Sequence, residues 1–272
     1  MTLAPGIYPD IPFDDYRAID AASSHALSTL LDKSPAHLHG MERKPSAAME
    51  LGRLAHLLIL EPERDEAEIV VSPECDRRTK AGKETWEAFQ AESAGLTVVT
   101  RDQYLTANAI RESVLRHSLA RLLFAQGQAE LTLIADDPDS GARCKGRLDW
   151  LPTGHDLLVD LKTCQSAAPA DVARDAGKYR YFQQASFYSH LWHLITGERR
   201  PFLFVFVESA PPYDVAVYEL DEDALDAGER RFREALAIWV ECQASGVWPG
   251  YLWDRGANAH RIETLSLPRW AL

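Results

Sequence analysis

The sequence predicts an α/β protein, a mixed central β-sheet flanked by helices behind a mainly helical N-terminal region. Two observations carry this. Up to about residue 125 the apolar residues fall in helical runs bounded by Ser, Thr and Pro. From about residue 126 the pattern changes to short strand-like runs linked by turn-rich segments, interleaved with long helical stretches.

Ser23 and Ser24 are good N-caps for a helix from about His25 to Asp32. Ser34-Pro35 restarts a short helix with proline at its first position. Met49 to Leu60 reads as an apolar helix stopped by Pro62, and a short strand follows from Glu68 to Val71. A basic loop, Arg77 to Lys83, leads into helices near 84–93 and 102–125. Ala129–Ala135, Arg143–Leu151 and Leu157–Thr163 read as strands joined through Asp136–Gly141 and Pro152–His155. A helix from Tyr181 to Ile195 comes next, then strands Phe202–Glu208 and Val215–Leu220. Asp221 caps a long helix to about Ala244, and the Trp- and Pro-rich tail from Gly246 reads as packed irregular structure. No clean linker interrupts the chain. One domain over 1–272 is expected, with a mainly helical part (1–125), a core (126–245) and a tail (246–272).

The bulk composition removes several function classes. A hydrophobic share of 46% supports a sizeable core, and no apolar run approaches the ~20 residues that a bilayer requires. The N-terminus lacks the charged and apolar regions of a signal peptide. Cys75, Cys144, Cys164 and Cys242 are scattered with no CxxC pair, which argues against a zinc site and for a reducing cytoplasm. The net charge of −12 is unfavourable for a partner of nucleic acid, although total charge says little about a local patch. Gly82-Lys83 is followed by Glu84, so the basic loop is not a nucleotide-binding P-loop.

The chemistry concentrates in Gly146-Arg147-Leu148-Asp149 and Asp160-Leu161-Lys162-Thr163. On a strand, Asp160 and Lys162 share a face. If the two strands form a hairpin centred between Gly154 and His155, Asp149 lies across from Asp160, where side chains stand ~4.5–5.5 Å apart at Cβ. Two opposed carboxylates repel, and a divalent cation between them removes the conflict. Magnesium prefers such hard oxygen ligands. Lys162 would either polarise the attacked phosphate or help deprotonate the attacking water, as in metal-assisted phosphodiester hydrolysis.

Together with Gln184-Ala185-Ser186-Phe187-Tyr188, these segments resemble the motif series of the PD-(D/E)XK nuclease superfamily, whose fold is a restriction-endonuclease-like core. The Gln-x-x-x-Tyr element is similar to that of its RecB-like branch, and more narrowly the chain resembles the RecE-like (exodeoxyribonuclease VIII) exonucleases. Supporting segments run from Ser34-Pro35-Ala36-His37 and Leu51–His56 through Tyr179–Gln184 to Trp248–Tyr251.

The resemblance implies an exonuclease that uses magnesium, with manganese as a substitute. It would digest duplex DNA 5′ to 3′ and leave 3′ single-stranded tails for recombination by strand annealing. It implies homo-oligomeric rings, commonly tetramers, and a single-strand annealing protein as partner. Asp149 and Asp160 would be the main metal ligands, the Leu161 carbonyl a third, and Lys162 the catalytic lysine. His56 matches a family histidine on a helix ahead of the sheet. Imidazole is softer than magnesium favours, so His56 would tune or orient the ions more than hold them. Glu130, read as opening its strand, matches a family acidic position, and a solvated glutamate is the other reading of it. Gln184 and Tyr188, neighbours on one helix face, would orient the lysine and the DNA. Read without the family they are ordinary polar helix residues. Arg77, Arg78, Lys80 and Lys83 form a candidate phosphate-contacting element or a solvated loop. Two alternatives stand beside this reading: a non-catalytic DNA-end-binding protein, and a Cas4- or AddB-like nuclease with an iron–sulfur cluster, for which the cysteine spacing is unsuited.

Overall fold

The computed structural model describes residues 3–40, 46–64, 68–254, 257 and 259–271. Its centre is a sheet of seven strands: β1 (Gly6–Tyr8), β2 (Ala22–Ser23), β5 (Gly127–Asp136), β6 (Arg143–Pro152), β7 (Leu158–Cys164), β8 (Phe202–Glu208) and β9 (Val215–Glu219). The order is β1-β5-β6-β7-β8-β9, with β2 beside β6. Most pairs are antiparallel, while β7–β8 and β2–β6 are parallel, so the sheet is mixed as expected.

Alternation along β8 shows why both faces are covered. Phe202, Phe204 and Phe206 enter one core and Val205 and Val207 the other. The phenylalanine face packs under α2 (Ser24–Asp32), α9 (Tyr181–Thr196) and α10 (Glu222–Ser245) through Leu27, Phe187, Leu191 and Phe232. The valine face packs under α4 (Ala47–Leu60), α6 (Arg101–Arg116) and α7 (Ser118–Leu123) through Ala55, Ile59, Ile110 and Leu123. Gly228 of α10 lies against α9 so closely that a Cβ there would sit 2.2 Å from the Phe182 carbonyl oxygen.

Several helix starts follow their side-chain caps. Ser23, Ser46, Thr79, Thr100 and Asp221 each accept a first-turn amide. Caps also explain two departures from the sequence reading. Thr79 starts α5 (Lys80–Glu92), so Lys80 to Lys83 lie in a helical turn and not in a loop. The helix expected over 102–125 is broken at His117, whose backbone is extended and whose Nδ1 accepts the Ala120 amide to begin α7.

The remaining short elements were not anticipated. They are α1 (Phe13–Ala18), α8 (Pro169–Tyr179), β1, β2 and β4 (Thr97–Val99), which pairs in parallel with β3 (Ile69–Val71), the short strand expected over 68–71. The short helix expected after Ser34-Pro35 is α3 (Ala36–Gly40). Trp248 packs on Trp239, with ring centroids 5.4 Å apart. The rest of the tail is less irregular and less packed than expected. Strands β10 (Trp253–Asp254) and β11 (Ala259–His260) pair, and 259–271 are exposed throughout. Residues 255, 256, 258 and 272 of that tail lie outside the described residues. Among the described residues no helix is long and apolar enough to cross a membrane.

Candidate metal-dependent active site

The site begins where the sheet bends. On β5, Ala129 packs on the α4 side while Leu131, two residues on, enters the α9 side; on β6, Trp150 and Leu148 part in the same way. Residues two apart on a regular strand share a face, so both strands turn over between these positions. Glu130 and Asp149 face each other at the turn-over, and the β5–β6 ladder skips them. Glu130 takes a left-handed backbone with φ 54°. That conformation costs an L residue about 1–3 kcal/mol and concentrates at functional positions.

The hairpin to β7 parts at the same level. Its pair Trp150↔Val159 confirms the register that sets Asp149 opposite Asp160. An Asp149 carboxylate oxygen accepts the Leu161 amide at 3.0 Å, as a strand carbonyl would in a continued ladder. From α4, His56 donates Nε2–H to the Leu161 carbonyl at 2.7 Å, and its Nδ1 stands 3.7 Å from Asp149 Oδ2. One ligand atom each from His56, Glu130 and Asp149 lie within 4.8 Å of one another. Glu130 also pairs with Arg147. It sits inside β5, not at its start, and it is not a solvated strand-end residue.

Asp160, the other expected main metal ligand, is fully buried. Its Oδ1 accepts from Gln184 Nε2 at 2.6 Å, and its Oδ2 faces the Lys162 ammonium. These two partners hold it beside the converging triad of ligand atoms, not within it. The Leu161 carbonyl is likewise engaged by His56.

Electrostatics at this point are under tension. Burial, and next the charge of Asp160, push the Asp149 carboxyl up to about 7, against the opposing pull of His56 and Lys162. Burial acts against the charge on Lys162 too, but Asp160 and Asp149 outweigh it and push the ammonium up to about 12. Lys162 is therefore a cation at neutral pH, its ammonium 5.3 Å from the Tyr181 ring. An oxygen-rich donor set with excess negative charge and one imidazole fits a hard divalent cation.

A family model described as a PDDEXK-like domain of unknown function, DUF3799, matches residues 16–254. The chain belongs to this family. Among solved structures, a candidate exonuclease from Eubacterium rectale superposes with a TM-score of 0.63 at 13% identity, covering 95% of this chain and 96% of that one. The likeness is one of fold. A phage-related exonuclease from Haemophilus somnus (13% identity, TM-score 0.34, covering 65% of this chain and 91% of that one) is more distant. So is an alkaline exonuclease from Laribacter hongkongensis (12% identity, TM-score 0.34, covering 83% and 92%). No curated protein matches the chain.

Within the PDDEXK-like domain the other expected site residues separate. Gln184 reaches the centre through Asp160. Tyr188, one turn on, is buried and packs its ring on Gly146, where a Cβ would stand 3.2 Å away. Burial raises its phenol well above the usual range. Its visible contribution is to seat α9 on β6. In the basic segment, Arg77 lies over Trp86 at 4.5 Å, Arg78 bonds Asp76 at 2.9 Å and Lys80 pairs with Glu84 at 3.8 Å. Three of the four candidate DNA-contacting cations thus have partners already. Arg147 was overlooked as a site residue. It lies two positions before Asp149, and a cation in that place was the available signal.

Proposed function

We propose that the protein is a metal-dependent exodeoxyribonuclease of the RecE-like type, within the RecB-like branch, acting on the ends of duplex DNA. The observation that supports it most is the convergence of His56, Glu130 and Asp149 beside Lys162 and the buried Asp160. His56, Glu130 and Asp149 would hold magnesium, or manganese in its place, with Asp160 and the Leu161 carbonyl adjoining. Such an ion supplies Lewis-acid stabilisation of phosphate charge and a more acidic water.

The chain's own groups do the rest. Of the two roles open to Lys162, its raised pKa favours charge stabilisation over proton removal: a fixed ammonium meets negative charge growing on the phosphoryl oxygens. Gln184 and Lys162 together fix the rotamer of Asp160. The Leu161 amide fixes Asp149.

The same reading has the enzyme digest 5′ to 3′, leave 3′ single-stranded tails, assemble as a ring and hand its product to a single-strand annealing protein. Arg77, Arg78, Lys80 and Lys83 are its outlying phosphate contacts. Linear duplex labelled separately at each end, incubated with magnesium or with EDTA, tests activity, polarity and end dependence together. Loss of label as mononucleotide from the 5′ end, in magnesium only, is the expected result. The net charge of −12 favours a second reading, a non-catalytic DNA-end binder. Intact DNA bound at its ends across divalent metals and pH would establish that reading instead.

A further inference from the structure

Three guanidinium groups from three elements gather on one exposed ring. Phe13, at the start of α1, is 48% exposed. The guanidinium carbons of Arg53, Arg147 and Arg17 lie 5.7, 5.9 and 6.0 Å from its centroid. Arg147 is committed elsewhere: it pairs with Glu130, donates to the Ile11 carbonyl at 2.8 Å and stands 5.6 Å from the Tyr16 ring. Arg17 and Arg53 make no ion pair among the described residues, although α1 also carries Asp14 and Asp15. Arg147 has Glu130 as its counter-charge, whereas Arg17 and Arg53 have no carboxylate within ion-pair distance among the described residues, and an anion beside them would supply one.

The platform is anchored and adjoins the metal site. Lys145 of β6 is buried and donates to the carbonyls of Tyr16, Arg17 and Ile19 at 2.9, 3.2 and 2.6 Å, which ties the end of α1 to the sheet. Arg147, the next residue of β6 to contact this segment, joins the platform to Glu130. On α4, Arg53 precedes His56 by three residues, so the two lie on neighbouring positions of one helix face. The ring and its two unpaired cations therefore border the converging ligands from both the helix and the strand side.

We infer that Phe13, Arg17 and Arg53 form the subsite that seats the DNA strand next to the cut, with phosphate between the guanidinium groups and a base against the ring. Arginine forks suit phosphate oxygens, and an aromatic face beside cations is the usual platform for an unpaired base. The inference rests on the nuclease reading and adds to it the cations that a chain of net charge −12 sets against DNA. It also assigns the strand contact to α1 and α4, ahead of the segment 77–83, whose charges are largely paired.

The test measures binding of a fluorescein-labelled blunt duplex by anisotropy, in calcium, across a salt series. Cleavage in magnesium is followed in parallel. Arg17→Gln and Arg53→Gln, each checked for an unchanged melting temperature, are expected to weaken binding several-fold. Each should flatten the slope of log K against log salt by about 0.9, the value for one lost phosphate contact. The loss should fall on KM more than on kcat. Phe13→Leu is expected to lose about tenfold in affinity, and Phe13→Trp to restore most of it. Folded arginine variants with wild-type affinity and slope, in a protein that still cuts duplex, would overturn the subsite and leave the nuclease reading standing. A wild-type protein that neither binds nor cuts duplex would remove both.

Discussion

Replacing Asp149 by Asn should stabilise the metal-free protein, because the native state strains against this charge. The carboxyl lies at about 7 in the folded protein against 3.8 ordinarily. The rise from 3.8 to about 7 amounts to about 4 kcal/mol. The sign follows from proton binding. Between 3.8 and about 7 the native state keeps a proton that the unfolded chain has lost, so stability falls as pH rises through that window. The penalty is complete above about 7 and absent below 3.8. Asn removes the charge yet keeps an oxygen to accept the Leu161 amide. The figure is an upper one, since a buried amide has its own desolvation cost. A domain of this size shifts by about 2–4 °C per kcal/mol. In EDTA at pH 8 the variant should therefore melt several degrees above wild type, and the gap should narrow as the pH is lowered towards 4. Magnesium should raise the melting temperature of wild type and leave the variant nearly unmoved. A variant that melts at or below wild type in EDTA at pH 8 would refute the penalty assigned to a buried Asp149 charge beside Asp160.

Other consequences are equally measurable. Lys162→Ala should lower cleavage by at least about a hundredfold while duplex-end binding by gel shift survives; a variant that no longer folds would make Lys162 structural. Gln184→Leu leaves a buried Asp160 oxygen without its donor, and should cost about 1–3 kcal/mol in denaturant melts and weaken magnesium binding by calorimetry. Gly228→Ala drives a methyl group into the Phe182 carbonyl and should cost about 3 kcal/mol or more, with wild-type stability counting against the α9–α10 contact. Burial works against the charge on Asp137, but Ser140, His190 and Arg233 hold its carboxyl below the usual range. Its contribution is present above about 3.8 and lost as pH falls through the lowered value. An Asp137→Asn variant should lose less stability on acidification than wild type, and parallel acid melts would contradict this.

What could be read in the sequence was whatever depends on near neighbours. Ser23 and Asp221 cap helices within four residues, and the run at 202–208 alternates between cores, so those elements fell close to where expected. The turn centred between Gly154 and His155 sets the Trp150↔Val159 register, which is why Asp149, Asp160 and Lys162 could be placed together from spacing alone. Short elements such as α1 and β2 escaped because little in their own residues specifies them. Lys145 and a β6 edge, more than a hundred residues away, hold them in place.

The tertiary structure alone decided which donors converge. Strand alternation puts Asp160 and Lys162 on one face, but it cannot show that Gln184 takes one Asp160 oxygen and Lys162 the other. Nor can it show that the strands turn over at Glu130 and Asp149 and present these two to His56 instead. Local chain order specifies hydrogen bonds a few residues apart. The burial that raises Asp149, and the contacts that gather Arg17, Arg53 and Arg147 on Phe13, belong to segments that meet only when the sheet and its two helical layers close.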